Sequence, residues 1–152
     1  MLSRRLLCVD DDRDFRQFYK NLLGSHGFEV TVASSGAQAL KLFLSKKVDA
    51  VVTDLEMPGM TGVELASRLK KLRPELPVLL VSGTKSVQEK PESVDAALAK
   101  GTATVTLLDQ IEKLLAKAQA QRLSLSPRRF APLGSVLASI ALAAYAVPKI
   151  LK

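Results

Sequence analysis

The sequence predicts an α/β domain: a doubly wound parallel sheet of five strands with helices on both faces. Two observations carry this. Short apolar runs without polar alternation recur along the chain, as in strands buried on both faces. Between them lie stretches whose apolar residues return at helical spacing. The two patterns alternate from residue 5 to about residue 120, which fits strand–helix–strand units joined by right-handed crossovers.

The first strand is Leu6-Leu7-Cys8-Val9, running into Asp10-Asp11-Asp12. Asp12 is a good N-cap, and Phe15, Phe18, Tyr19 and Leu22 mark a helix that ends near Gly24 or Gly27. Glu29 to Ala33 reads as the second strand. Ser34 and Ser35 can cap a helix carrying Ala37, Leu40 and Leu44, ending near Lys46-Lys47. The third strand, Ala50 to Thr53, delivers Asp54 and the loop from Leu55 to Met60. Thr61 and Glu64 form a capping-box pattern ahead of Val63, Leu65, Ala66, Leu69 and Leu72, and Pro74 stops that helix. Pro77 to Val81 is the fourth strand, running into Ser82. Residues 83–95 are poorly patterned, and Pro91 allows only a short or late-starting helix there. The fifth strand, Ala96 to Ala99, is weak and precedes Lys100. A last helix starts near Thr104, with Leu107, Leu108, Ile111, Leu114 and Leu115 on one face.

Composition narrows the possibilities. With 47% hydrophobic and 24% charged residues among 152, the chain has the makeup of one folded domain plus an appendage. Aromatics are only 5% and Trp is absent, which leaves little for a base-stacking platform. The single cysteine, Cys8, cannot form an internal disulfide and reads as a small core hydrophobe in a reducing compartment. The net charge of +7 is uneven: residues 122–152 hold five basic residues and no acid. Those charges flank an apolar block and form no long basic face, so nucleic acid is not expected as a partner.

If the strands are parallel neighbours, their carboxyl ends gather Asp10, Asp11, Asp54, Ser82 and Lys100 on one rim, where open α/β sheets bind ligands. Magnesium takes hard oxygen ligands and is usually held by one or two carboxylates plus water. Crowded carboxylates repel unless a cation neutralises them. Alone, Asp10-Asp11-Asp12 reads equally as a solvated capping cluster. Together with a carboxylate, a hydroxyl and an ammonium at successive strand ends, it reads as apparatus for a divalent cation and a phosphoryl group.

The order Val9-Asp10-Asp11-Asp12, then Asp54 through Met57-Pro58 to Gly62, then Ser82 and Lys100, resembles the receiver domain of two-component response regulators over about residues 4 to 118. The resemblance implies a flavodoxin-like fold with strand order 2-1-3-4-5. It implies that Asp54 takes a phosphoryl group from a sensor histidine kinase or a histidine phosphotransfer protein. It further implies Mg²⁺ bound by Asp11, Asp54 and the backbone carbonyl of Glu56, with Asp10 acting through water. Ser82 would donate to the phosphoryl group, and Lys100 would pair with the carboxylate before transfer and the phosphoryl oxygen after it. Three departures lie on the face where the family relays its signal. Gly101 follows Lys100 where the family usually has proline, so a trans peptide is expected. Ala97 stands where an aromatic is common, and the span from Ser82 to Lys100 is short by about one helical turn.

Three regions follow: a receiver over 1–121, a linker over 122–129, and a hydrophobic helix over 130–152. Phe130 to Pro148 is 19 residues without a charge, bracketed by Arg128-Arg129 and by Lys149 and Lys152. As a helix it would span about 28 Å, against a hydrocarbon core of roughly 30 Å. The expectation is a membrane anchor with the receiver on the cytoplasmic side of the inner membrane. The competing reading is a core or dimer-interface helix, giving a homodimer. The expected function is thus a membrane-tethered, stand-alone phosphoacceptor that is not an enzyme in the ordinary sense. The alternatives are a Mg²⁺-dependent phosphatase with an aspartyl nucleophile, or a scaffold whose receiver is not phosphorylated.

Overall fold

The computed structural model describes residues 4–83 and 90–125. The chain divides into two compact units at Gln119/Ala120, and the first carries the sheet and the site. Its sheet has five parallel strands in the order β2-β1-β3-β4-β5: β1 Arg4–Val9, β2 Phe28–Ala33, β3 Ala50–Asp54, β4 Val78–Ser82 and β5 Ala96–Ala99. The order implied by the resemblance is the one observed.

Helices α1 Arg13–Ser25, α2 Gly36–Ser45, α3 Gly62–Leu72 and α4 Thr104–Ser124 cover its two faces. Tyr19 and Leu23 of α1 and Leu107, Ile111 and Leu114 of α4 pack with Leu6, Cys8, Val52 and Leu79 on one face. Ala39 of α2 and Leu65, Ala66 and Leu69 of α3 pack with Leu7, Val9, Val51 and Leu80 on the other. Alternate residues of each central strand therefore serve opposite layers, which is why these strands read as unbroken apolar runs.

The expected caps form. Asp12 accepts from the Asp14 amide, Ser35 from that of Gln38, and Thr61 and Glu64 make a reciprocal capping box. The stripe expected on α2 is turned. Ala37 is exposed and Leu44 is 72% exposed, while Ala39 is buried and Leu40 and Phe43 pack against the core. A helix with apolar residues nearly all round leaves its phase open to the neighbours. Here Met60 lies over Gly36, where any Cβ would fall 2.6 Å from its sulfur, and that contact seats the first turn. Leu72, expected to close the α3 stripe, is 54% exposed.

Between Ser82 and β5, residues 90–95 hold no helix, and the rest of the expected helical stretch (84–89) lies outside the described residues. No cis peptide occurs among the described residues, and Gly101 adopts a positive φ of 88° that favours glycine. Helix α4 continues through Ser124, into the start of the stretch expected to be a linker. No helix among the described residues is long and apolar enough to cross a membrane. The apolar helix expected over 130–152 lies outside the described residues.

Candidate functional site

Register brings the strand ends together. Val9 pairs with Thr53, Asp54 with Val81, and Ser82 with Ala99. The residues that follow β1 and β5, Asp10 and Lys100, therefore flank Asp54 and Ser82 at the carboxyl edge. One carboxylate oxygen each from Asp10, Asp11 and Asp54 lies within 4.8 Å of the others. Asp10 and Asp54 are buried and Asp11 is exposed, so the cluster opens to solvent through Asp11.

Each group is held by the chain around it. The Asp10 amide donates to Ala33 O of β2 (3.1 Å), and Asp10 Oδ1 accepts from the Asp12 amide (2.9 Å). Asp54 Oδ1 accepts from the Leu55 amide (2.8 Å). The loop after Asp54 returns at once, with Gly62 N–H donating to Leu55 O (2.9 Å). A Cβ at Gly62 would stand 1.9 Å from Asp54 O, so only glycine lets α3 start against the acceptor. Met57 is buried and Gly59 takes a φ of 79°, which accounts physically for the Met57, Gly59 and Gly62 of this loop.

Lys100 closes the site. Its Nζ lies 2.9 Å from Asp10 Oδ2 and 3.2 Å from Asp54 Oδ2, and 4.0 Å from the Phe15 ring centroid. Its amide donates to Ser82 O at 2.7 Å, tying β5 to the end of β4. Burial pushes the Asp54 carboxyl above the usual carboxylate range and Asp10 adds repulsion; the Lys100 ammonium and the Leu55 amide offset only part of this. Burial by itself disfavours the Lys100 ammonium, yet its pairing with Asp10 and Asp54 carries its pKa above the ordinary lysine value. Asp10 Oδ2 is buried, and its close partner is the Lys100 ammonium at 2.9 Å.

Three carboxylates converging within 4.8 Å, two of them buried and the third open to water, are a donor set that fits Mg²⁺. Asp10, Asp11, Asp54 and Lys100 are thus brought together as expected, and Ser82 stands buried at the neighbouring strand end. Two contributors escape a reading of the sequence. Phe15 appears there only as part of a helical stripe, and Arg16 is not singled out at all. Yet Arg16 Nη1 donates to both Asp10 O and Asp11 O. Its position four residues after Asp12 was the only available signal.

Residues 6–112 match the model of the response regulator receiver domain family. The chain is 33% identical over 124 residues to response regulator MprA of Mycobacterium ulcerans, covering 79% of this chain and 53% of that protein. It is 36% identical over 115 residues to MprA of Mycolicibacterium vanbaalenii, covering 73% and 50%. The chain therefore spans about half the length of these curated relatives. Among solved structures, it resembles response regulator TrrA of Thermotoga maritima in complex with Mg²⁺-BeF (30% identity, TM-score 0.70, covering 73% of this chain and 98% of that one). It also resembles a CheY-like receiver of Methanospirillum hungatei (26% identity, TM-score 0.72, covering 79% and 99%). A sheet of this order, an acidic cluster at its carboxyl edge and a family match across that whole region lead to one conclusion: the chain belongs to the response regulator receiver domain family.

Proposed function

We propose that the chain is a phosphoacceptor in a two-component relay, taking a phosphoryl group on Asp54 from the phosphohistidine of a sensor kinase or phosphotransfer protein. The observation that carries this reading is the placement of the Asp54 carboxylate, which shares one solvent-facing cluster with Asp10 and Asp11 and is capped by Lys100. Asp54 Oδ2 attacks phosphorus as the P–N bond to the donor imidazole breaks, and the imidazole keeps the electron pair and takes a proton from water. Asp11, Asp54 and the Glu56 carbonyl would hold Mg²⁺, with Asp10 acting through water. When bound, Mg²⁺ screens the repulsion between the acceptor carboxylate and the phosphoryl oxygens. Ser82 donates to a phosphoryl oxygen. Lys100, relieved of its partner on Asp54, turns to the phosphoryl group. The chain thereby acts as a stoichiometric signalling module, not as a multiple-turnover phosphatase. With acetyl phosphate or a donor kinase and Mg²⁺, wild type is labelled and Asp54→Asn is not; equal labelling of both overturns the reading.

The reading extends to residues 130–148, whose uncharged sequence between basic flanks supports a membrane anchor for a cytoplasmic receiver. Full-length chain should pellet with membranes, and a form ending at residue 129 should not; a fully soluble full-length chain excludes the anchor. The expectation that nucleic acid is not a partner rests on the scarcity of aromatics and on basic residues that flank an apolar block. The comparisons lend it no support, because the relatives run to about twice the matched length.

A further inference from the structure

Arg16 accounts for all three backbone carbonyls of the acidic triplet. Its amide donates to Asp12 O at 3.2 Å, and its Nη1 donates to Asp10 O and Asp11 O at 2.8 Å each. The side chains of Asp10 and Asp12 have further ties, to Lys100 and the Asp12 amide and to the Asp14 amide. Asp11 is different. Among the described residues its carboxylate has no hydrogen-bond or ion-pair partner, so the clamp on its carbonyl is what fixes it over the cluster.

We propose that Arg16 is a positioning residue for the cation site, holding the loop so that the Asp11 carboxylate faces those of Asp10 and Asp54. This rests on the reading that the cluster holds Mg²⁺. Two effects of Arg16 on a cation have opposite signs. As a nearby positive charge it opposes Mg²⁺, so removing it should tighten binding. As a clamp it pre-organises the ligands, so removing it should weaken binding. Partners of metal ligands typically contribute 10- to 100-fold in affinity, and lysine, with a shorter stem and no rigid planar group, would hold the two carbonyls less firmly than arginine.

The test is Mg²⁺ titration of the full-length chain by calorimetry. Arg16→Met should weaken Mg²⁺ binding about tenfold although it deletes a positive charge. Arg16→Lys, which keeps the charge on a shorter and less pre-organised side chain, should fall between it and wild type. Arg13→Met removes a charge from the exposed first residue of the same helix and should leave affinity unchanged or slightly tighter. Melting curves without Mg²⁺ verify that each variant folds; if Arg16→Met does not, Arg16→Lys against Arg13→Met decides. Binding by the Arg16 variants as tight as wild type, or tighter, overturns the proposal, as does a wild type that binds no Mg²⁺. A wild type that binds Mg²⁺ but accepts no phosphoryl group defeats the phosphoacceptor reading and leaves the clamp standing.

Discussion

Strand β3 ends in Asp54 and strand β5 runs directly into Lys100, yet the two residues are held by different means. All five residues of β3 are buried, and the strand is paired on both sides, so Asp54 is placed by packing and by two ladders. β5 is an edge strand of four residues, three of them alanine and none fully buried. It has too little side chain to fix Lys100 by burial. Lys100 is held instead by its bond to Ser82 O, by two carboxylates and by the face of Phe15. The acceptor is thus set by the core and the ammonium by the charges it meets. A change in the charge on Asp54 would therefore be felt first at β5.

This contrast can be broken most severely through packing. Leu80 of β4, fully buried beside β3, should cost about 2–5 kcal/mol on truncation to alanine, while Leu98→Ala in β5 should cost well under half as much. Denaturant titration measures both; equal losses would mean that β5 is as firmly packed as the centre.

A smaller effect, but one specific to the site, is expected from Lys100→Met. It leaves Asp10 and Asp54 facing each other without their shared cation, and should destabilise the metal-free chain by about 2–4 kcal/mol. Millimolar Mg²⁺ should restore most of this, because the cation replaces the ammonium. Failure of Mg²⁺ to restore stability would mean that packing, not charge, anchors Lys100.

The smallest effect sharpens the electrostatics of β3. Asp54 has a higher pKa in the fold than in the unfolded chain, so the folded state binds its proton more tightly. The stabilisation from the protonated form is present below the unfolded pKa and is lost as pH rises through the folded value. At neutral pH without Mg²⁺, Asp54→Asn should therefore melt a few degrees higher than wild type. The gap should shrink as pH falls into the carboxylate range. A variant that melts lower at neutral pH would show that Lys100 outweighs both burial and Asp10.

Much of this was readable in the chain because the information is local. Asp12, Ser35 and the Thr61–Glu64 pair are caps whose partners lie within three residues, and all form. Strand ends followed by acid, hydroxyl or amine are equally local, and a parallel sheet must bring such ends to one edge. The phase of α2 was not local: Ala37 and Leu44 fit helical spacing as well as Ala39 and Phe43 do, and only packing in the core shows which of them are covered.

By itself, then, the sequence determined the strands, their polar stops, the caps and the glycine-bearing loop after Asp54. Only the tertiary structure decided which oxygens share the cluster, that one ammonium serves two carboxylates over a phenyl face, and that Arg16 turns back onto the loop behind it. The reason is reach. Backbone patterns are fixed by neighbours a few residues away, whereas a long flexible side chain finds its partner only once the strands have set the distances.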